Sequence, residues 1–136
     1  MKTVVIADDD LDTRELVRAA LTRSGYEVHV AEDGDQAWDL LKRHRPPVAV
    51  LDVQMPGRTG LELTEEIRAD PDLRTTYVLL LTGERLERDV LAGQEAGANR
   101  YLIKPFSVAG LTHAVAQGFN LGSSPEPPGW MERAGW

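Results

Sequence analysis

Asp8, Asp9, Asp52, Thr82 and Lys104 each close a short apolar run, and the runs lie far apart: Ala7-Asp8-Asp9, Leu51-Asp52, Leu81-Thr82 and Ile103-Lys104-Pro105. If these runs are neighbouring parallel strands, their ends bring three carboxylates, a hydroxyl and an ammonium into one crevice at a sheet edge. Carboxylates so crowded repel unless a cation neutralises them. A hard, oxygen-preferring ion such as Mg²⁺ meets that need, and Mn²⁺ takes the same donors. Lys104 adds a point charge for a carboxylate or a phosphoryl oxygen, and Thr82 adds a hydroxyl donor. A carboxylate can itself accept a phosphoryl group, giving an acyl phosphate, when positive charge offsets that on the transferred oxygens.

Positioning these groups requires strands at the right places. Apolar runs of strand length recur at Thr3-Ala7, Val28-Ala31, Val48-Leu51, Tyr77-Leu81 and Arg100-Ile103. They lack clean alternation, which implies burial on both faces. Helical periodicity fills the intervals. In the first helix Leu16, Val17, Ala20 and Leu21 form the stripe, Asp12 and Glu15 have capping-box spacing, and Gly25 stops it. Ala37, Leu40 and Leu41 line the second, which ends before Pro46-Pro47. Leu61, Leu63 and Ile67 mark a third that stops near Asp70-Pro71. A fourth runs from about Leu86 to Ala96 before Gly97, and a fifth from about Val108 to Phe119. Strand and helix alternating five times predicts an α/β domain, a doubly wound five-stranded parallel sheet flanked by five helices.

The domain is expected over residues 1-120. Residues 121-136 read as a flexible Pro/Gly/Ser-rich tail, because Gly122 to Gly129 hold no apolar residue and are dense in turn formers. Trp130 and Trp136 are unusual in such a tail. They are read as disordered, with docking on the domain or on a partner as the sharper alternative.

The chain has 136 residues, 42% hydrophobic and 27% charged, with net charge -7. That is the balance of an ordinary globular domain. The acidic balance, without a clustered Lys/Arg surface, argues against direct nucleic-acid binding. The absence of cysteine excludes disulfides and thiolate metal sites. Asp8-Asp9-Asp10 follows the N-terminal apolar run too soon for a signal peptide, and no run approaches the roughly 20 residues of a membrane span. A cytoplasmic location is the expectation.

These residues and their neighbours resemble the receiver domain of bacterial two-component response regulators, chemotaxis-regulator-like and single-domain. The stretches that carry the resemblance are Val5-Ile6-Ala7-Asp8-Asp9-Asp10 with Arg14, Leu51-Asp52-Val53-Gln54-Met55-Pro56-Gly57, Leu80-Leu81-Thr82-Gly83, and Ala96-Gly97-Ala98-Asn99-Arg100-Tyr101-Leu102-Ile103-Lys104-Pro105-Phe106. Each alone is weak; together, in this order, they are specific. The resemblance implies strand order 2-1-3-4-5, a flavodoxin-like fold, with the site between the first and third strands.

It further implies that Asp52 is the phosphoacceptor, drawing from a sensor histidine kinase or histidine phosphotransfer protein. Asp9, Asp52 and the Gln54 backbone carbonyl would ligate Mg²⁺, with Asp8 acting through water. Thr82 and Lys104 would contact the phosphoryl oxygens, Lys104-Pro105 would be cis, and Thr82 with Tyr101 would form the switch. Gln54 and Glu84 match positions that influence hydrolysis. On this reading the protein is a signalling switch rather than an enzyme, either monomeric or dimerising on phosphorylation, whose output is binding to an unknown downstream protein. Thr59 stands where an acidic residue is frequent, and Gly83 where Ala is common.

Each residue also has a plainer reading. Asp8-Asp9-Asp10 alone can be a solvated strand end capping a helix, Thr82 can simply end a strand, and Tyr101 can be packing. His29, His44 and His113 share no spacing and read as ordinary histidines; Trp38 reads as edge packing. The first rival is a fragment of a larger regulator whose DNA-binding or enzymatic output domain lies beyond residue 136. The lack of Arg and Lys from Val108 to Phe119 weighs against the winged-helix subfamily. A metal-dependent phosphatase of the haloacid dehalogenase type would carry its nucleophile in an Asp-x-Asp on the first strand. A flavodoxin-like FMN binder would need a Ser/Thr/Gly-rich loop there.

Overall fold

Strand-length runs of Val, Leu and Ile without clean polar alternation suit a sheet covered on both faces. In a computed structural model, which describes residues 2–83 and 87–121, they lie in one. The order is β1 (Thr3–Ala7), α1 (Leu11–Arg23), β2 (Glu27–Ala31), α2 (Gly34–His44), β3 (Val48–Asp52), α3 (Gly60–Ala69), β4 (Tyr77–Thr82), α4 (Glu87–Ala96), β5 (Arg100–Ile103) and α5 (Val108–Leu121). All neighbours pair in parallel, in the order β2-β1-β3-β4-β5. The α/β, doubly wound, flavodoxin-like expectation therefore holds.

The pleat sorts successive strand residues to opposite faces. Val4, Ile6, Val48, Val50, Leu79 and Leu81 pack with Val17 and Leu21 of α1 and Leu111, Ala114 and Val115 of α5. Val5, Ala7, Ala49, Leu51, Val78 and Leu80 pack with Ala37 and Leu41 of α2 and Leu63 and Ile67 of α3. Every residue of β3 and β4 is buried, Asp52 and Thr82 included.

Two local readings are corrected. The cap of α1 is Asp10, not Asp12: Asp10 is extended, and its carboxylate accepts from the Thr13 amide at 3.2 Å and the Thr13 hydroxyl at 2.6 Å. Asp12 lies inside the first turn. Leu16 is 45% exposed and is not part of the buried stripe, which Val17 and Leu21 carry. Glu84, Leu86, Trp130 and Trp136 lie outside the described residues.

Thr59 explains its departure from the acidic residue expected before Gly60. Its hydroxyl accepts from the Glu62 amide, and the Glu62 carboxylate accepts from the Thr59 amide, each at 3.1 Å, closing a capping box on α3. At the other end of α3, half-buried Arg68 donates to the carbonyls of Gly97, Arg74 and Thr76 and to Asn99 Oδ1. This ties α3 to the turn before β5.

Candidate functional site

Strand order makes β1 and β4 the two neighbours of β3, so the ends of all three meet. Asp52 is the last residue of β3, paired with Leu81, which places Thr82 one residue further along β4. Lys104 follows β5; its amide donates to the Thr82 carbonyl at 2.6 Å, and the Lys104-Pro105 bond is cis. The loop after β1 is braced by Arg14, which donates to the Asp8 carbonyl at 2.9 Å.

Asp8 is fully buried. One of its oxygens accepts from the Asp10 amide at 2.9 Å, and the other lies 2.9 Å from the Lys104 ammonium as an ion pair. Lys104 stands 3.7 Å from Asp52 Oδ2 as well. Asp9 is exposed, yet carboxylate oxygens of Asp8, Asp9 and Asp52 lie within 4.8 Å of one another. Asp9, Asp52, Gln54, Thr82, Gly83 and Lys104 line one cleft of about 460 Å³.

The electrostatics follow from this crowding. Burial, then the field of Asp8, push the Asp52 carboxyl up to about 7, against the opposing pull of Lys104 and the Gln54 amide. Burial alone would depress Lys104; its hydrogen bond with Asp8 and the fields of Asp52, Asp8 and Asp10 outweigh that and raise it. Three oxygen donors and a single ammonium leave uncompensated negative charge, which fits a hard divalent cation. Among the described residues that line this cleft there is no histidine, cysteine or methionine.

Backbone closeness fixes the end of β3. A Cβ at Gly60 would lie 2.2 Å from the Asp52 carbonyl, so only glycine allows α3 to start against the end of β3. Tyr101 pairs with Leu80 across β4 and β5 and is 7% exposed, its ring inside the core cluster beneath Gly93 of α4. Beside the cleft, Thr13, Leu16, Lys104, Pro105 and Phe106 line a shallow pocket of about 280 Å³. Leu11 and Val108, both exposed, begin α1 and α5.

The structure gathers Asp8, Asp9, Asp52, Gln54, Thr82 and Lys104, and seats Tyr101 behind them. The bracing role of Arg14 carries no signal of its own in the sequence, since it depends on a carbonyl acceptor six residues back. His29 and His44, read as unrelated, stack with ring centroids 3.6 Å apart, away from this cleft.

This architecture and its acidic cleft are those of a phosphorylation switch, and the chain belongs to the response regulator receiver domain family, whose model matches residues 4–116. Receiver domains are signalling switches of two-component systems, work with histidine kinases or phosphotransfer proteins, and bind Mg²⁺ at such an acidic cluster. The chain is similar to "Response regulator MprA" of Mycobacterium sp. (strain KMS), 40% identical over 105 residues that cover 77% of this chain and 45% of the relative. It thus spans less than half the length of the curated relatives it matches. Among solved structures, chemotaxis response regulator CheY4 of Vibrio cholerae superposes with TM-score 0.82 at 32% identity, covering 87% of this chain and 98% of that one. The signal receiver domain of a signal transduction histidine kinase from Syntrophus aciditrophicus does so with TM-score 0.82 at 30% identity, covering 88% and 91%. Among the described residues no helix is long and apolar enough to cross a membrane.

Proposed function

We propose that Asp52 accepts a phosphoryl group from a histidine of a sensor kinase or phosphotransfer protein in the cytoplasm, and that the acyl phosphate changes which partner the domain binds. The observation that carries this reading is the convergence of Asp8, Asp9 and Asp52 oxygens within 4.8 Å around an ammonium 2.9 Å from one and 3.7 Å from another.

An Asp52 oxygen attacks phosphorus as the P–N bond to the donor histidine breaks, and the bonding pair leaves on the imidazole nitrogen, which takes up a proton. Attack requires the ionised carboxylate, so positive charge must bring Asp52 down from about 7. Lys104 supplies part of that charge, and bound Mg²⁺ or Mn²⁺ would supply the rest and offset charge on the transferred oxygens. Asp8, Asp9, Asp52 and the Gln54 carbonyl are the groups to hold it. Lys104 can exchange its contact with Asp52 for one with a phosphoryl oxygen, and the Thr82 hydroxyl, at the end of the neighbouring strand, can donate to another.

Movement of Thr82 toward the phosphoryl group alters the space next to Tyr101. The populations of Tyr101 and of the surface formed by α4, β5 and α5 then shift, which is the output. The exposed Leu11, Leu16 and Val108 beside the Lys104 end offer an apolar rim for the phosphodonor protein. Labelling with acetyl phosphate or phosphoramidate tests the assignment: Asp52→Asn is expected to abolish Mg²⁺-dependent incorporation, and undiminished label in that variant refutes it.

A further inference from the structure

The segment between Asp52 and α3, residues 53–59, carries Gln54 into the cleft and is held from a direction the reacting groups do not account for. Its root is fixed by the sheet and by α3: the Val53 amide donates to the Leu81 carbonyl at 2.9 Å, and the Gly60 amide to the Val53 carbonyl at 3.0 Å. Met55 is buried in the core cluster. Its crest instead rests on α2. The Gly34 amide donates to the Pro56 carbonyl at 3.1 Å, and a Cβ at Gly34 would lie 2.0 Å from the Arg58 carbonyl oxygen and 2.6 Å from the Arg58 nitrogen. Backbone atoms so close cannot turn aside.

The Arg58 side chain completes the clamp. Its guanidinium stands 3.4 Å from Asp35 of α2, 3.1 Å from Glu66 of α3, and 5.4 Å from the centre of the Trp38 ring. One side chain thus spans both helices that flank the loop, while Gly34 sets how close the loop lies.

The geometry points to Arg58 and Gly34 as positioning residues that fix the Gln54 backbone against Asp9 and Asp52 and so set the affinity of the cleft for a divalent cation. Neither residue touches the cleft. The inference rests on the proposed cation site, and its sign separates it from simple electrostatics. Removing a positive charge near a cation site tightens binding by Coulomb's law. Releasing the loop that carries a ligand loosens it, as outer-shell substitutions do.

The test is titration of the whole chain with Mn²⁺, read as loss of the free-ion electron paramagnetic resonance signal, with Mg²⁺ as competitor. Amide hydrogen exchange over residues 53–57 in metal-free protein is the second readout. Arg58→Ala is expected to raise the Mn²⁺ Kd by about 5- to 10-fold, to speed exchange in that segment, and to leave labelling at saturating metal near the wild-type rate. Arg58→Lys, which keeps the charge but not the planar fork, should fall between. Gly34→Ala should act in the same direction and more strongly; if it does not fold, Arg58→Ala alone decides. An unchanged or lowered Kd in Arg58→Ala, or a raised Kd with unaltered exchange, overturns the inference. Failure of the wild type to bind Mn²⁺, or undiminished binding by Asp52→Asn, would instead overturn the site itself.

Discussion

The Lys104 ammonium lies 2.9 Å from a carboxylate oxygen of Asp8, a residue with no exposed surface, although the strands they follow, β5 and β1, are separated in the sheet by β3 and β4. Removing the cation leaves a buried anion without its partner. Lys104→Met is expected to lower metal-free stability by about 2 kcal/mol, below the usual figure for a fully buried pair because the lysine is partly exposed. Saturating Mg²⁺ should shrink that loss, since a bound cation takes over the neutralisation. Urea unfolding with and without Mg²⁺ measures both; an equal loss in the two conditions would mean that cation and lysine do not share the same charge.

Asp52 gives the fold a pH dependence of definite sign. Its carboxyl is raised from 3.8 to about 7 by burial and then by Asp8. Between those values the folded chain binds more protons than the unfolded one, so stability falls as pH rises. This contribution is fully present below about pH 4 and gone above about pH 7. In EDTA the melting temperature of the wild type should therefore decline across that window relative to Asp52→Asn. The variant should melt about 5 °C higher above pH 7, and Mg²⁺ should raise the wild type alone. Superimposable wild-type and variant profiles would show that the carboxylates do not interact.

Arg68 is a half-buried cation whose acceptors are three carbonyls and the Asn99 amide oxygen, the last also accepting from the Val78 amide at 2.8 Å. Arg68→Met would strand those acceptors, at a cost of about 2–3 kcal/mol after allowing for the relieved desolvation of the guanidinium. Lysine cannot reproduce a fork that serves both the Gly97 and the Thr76 carbonyl. Denaturant midpoints of the Met and Lys variants check this; a Lys variant as stable as the wild type would reduce Arg68 to a simple charge.

Burial, then the charges of His29 and Arg43, depress His44 below its ordinary value, with Glu27 opposing. A depressed histidine binds fewer protons folded than unfolded. Stability from this group is therefore complete above about 6.5 and lost as pH falls through the lower folded value. Histidine ring resonances in NMR titrations report the value directly. His29→Gln should move His44 upward, and no movement would show that stacking at 3.6 Å carries no charge coupling.

The fold was legible because β1, β3 and β4 are nearly continuous Val/Leu/Ile runs that a doubly covered parallel sheet accommodates, and the site because its residues follow or end such runs. Less legible were contacts made at a distance in sequence. Asp12 and Asp10 have equal claims on a cap until the backbone of Asp10 is known to be extended. Leu16 shares the periodicity of Val17 and Leu21, but 3.6 residues per turn swings it clear of the sheet. The clamp of Arg58 on Trp38, the four acceptors of Arg68 and the stacking of His29 on His44 leave no periodic trace, since each joins separate elements. The inward ring of Tyr101 is one end of the motion proposed for it with Thr82.

The order β2-β1-β3-β4-β5 also distributes stiffness. The strand that ends in Asp52 is central and hydrogen-bonded on both sides, whereas β5, which leads into Lys104, is four residues long and pairs on one side only. Opening free energies fall toward sheet edges. The proposed acceptor therefore sits at the stiff centre of the framework and the proposed readout at one of its yielding edges, so a small local force would spend its work in displacement at the periphery instead of blurring the place where it is applied.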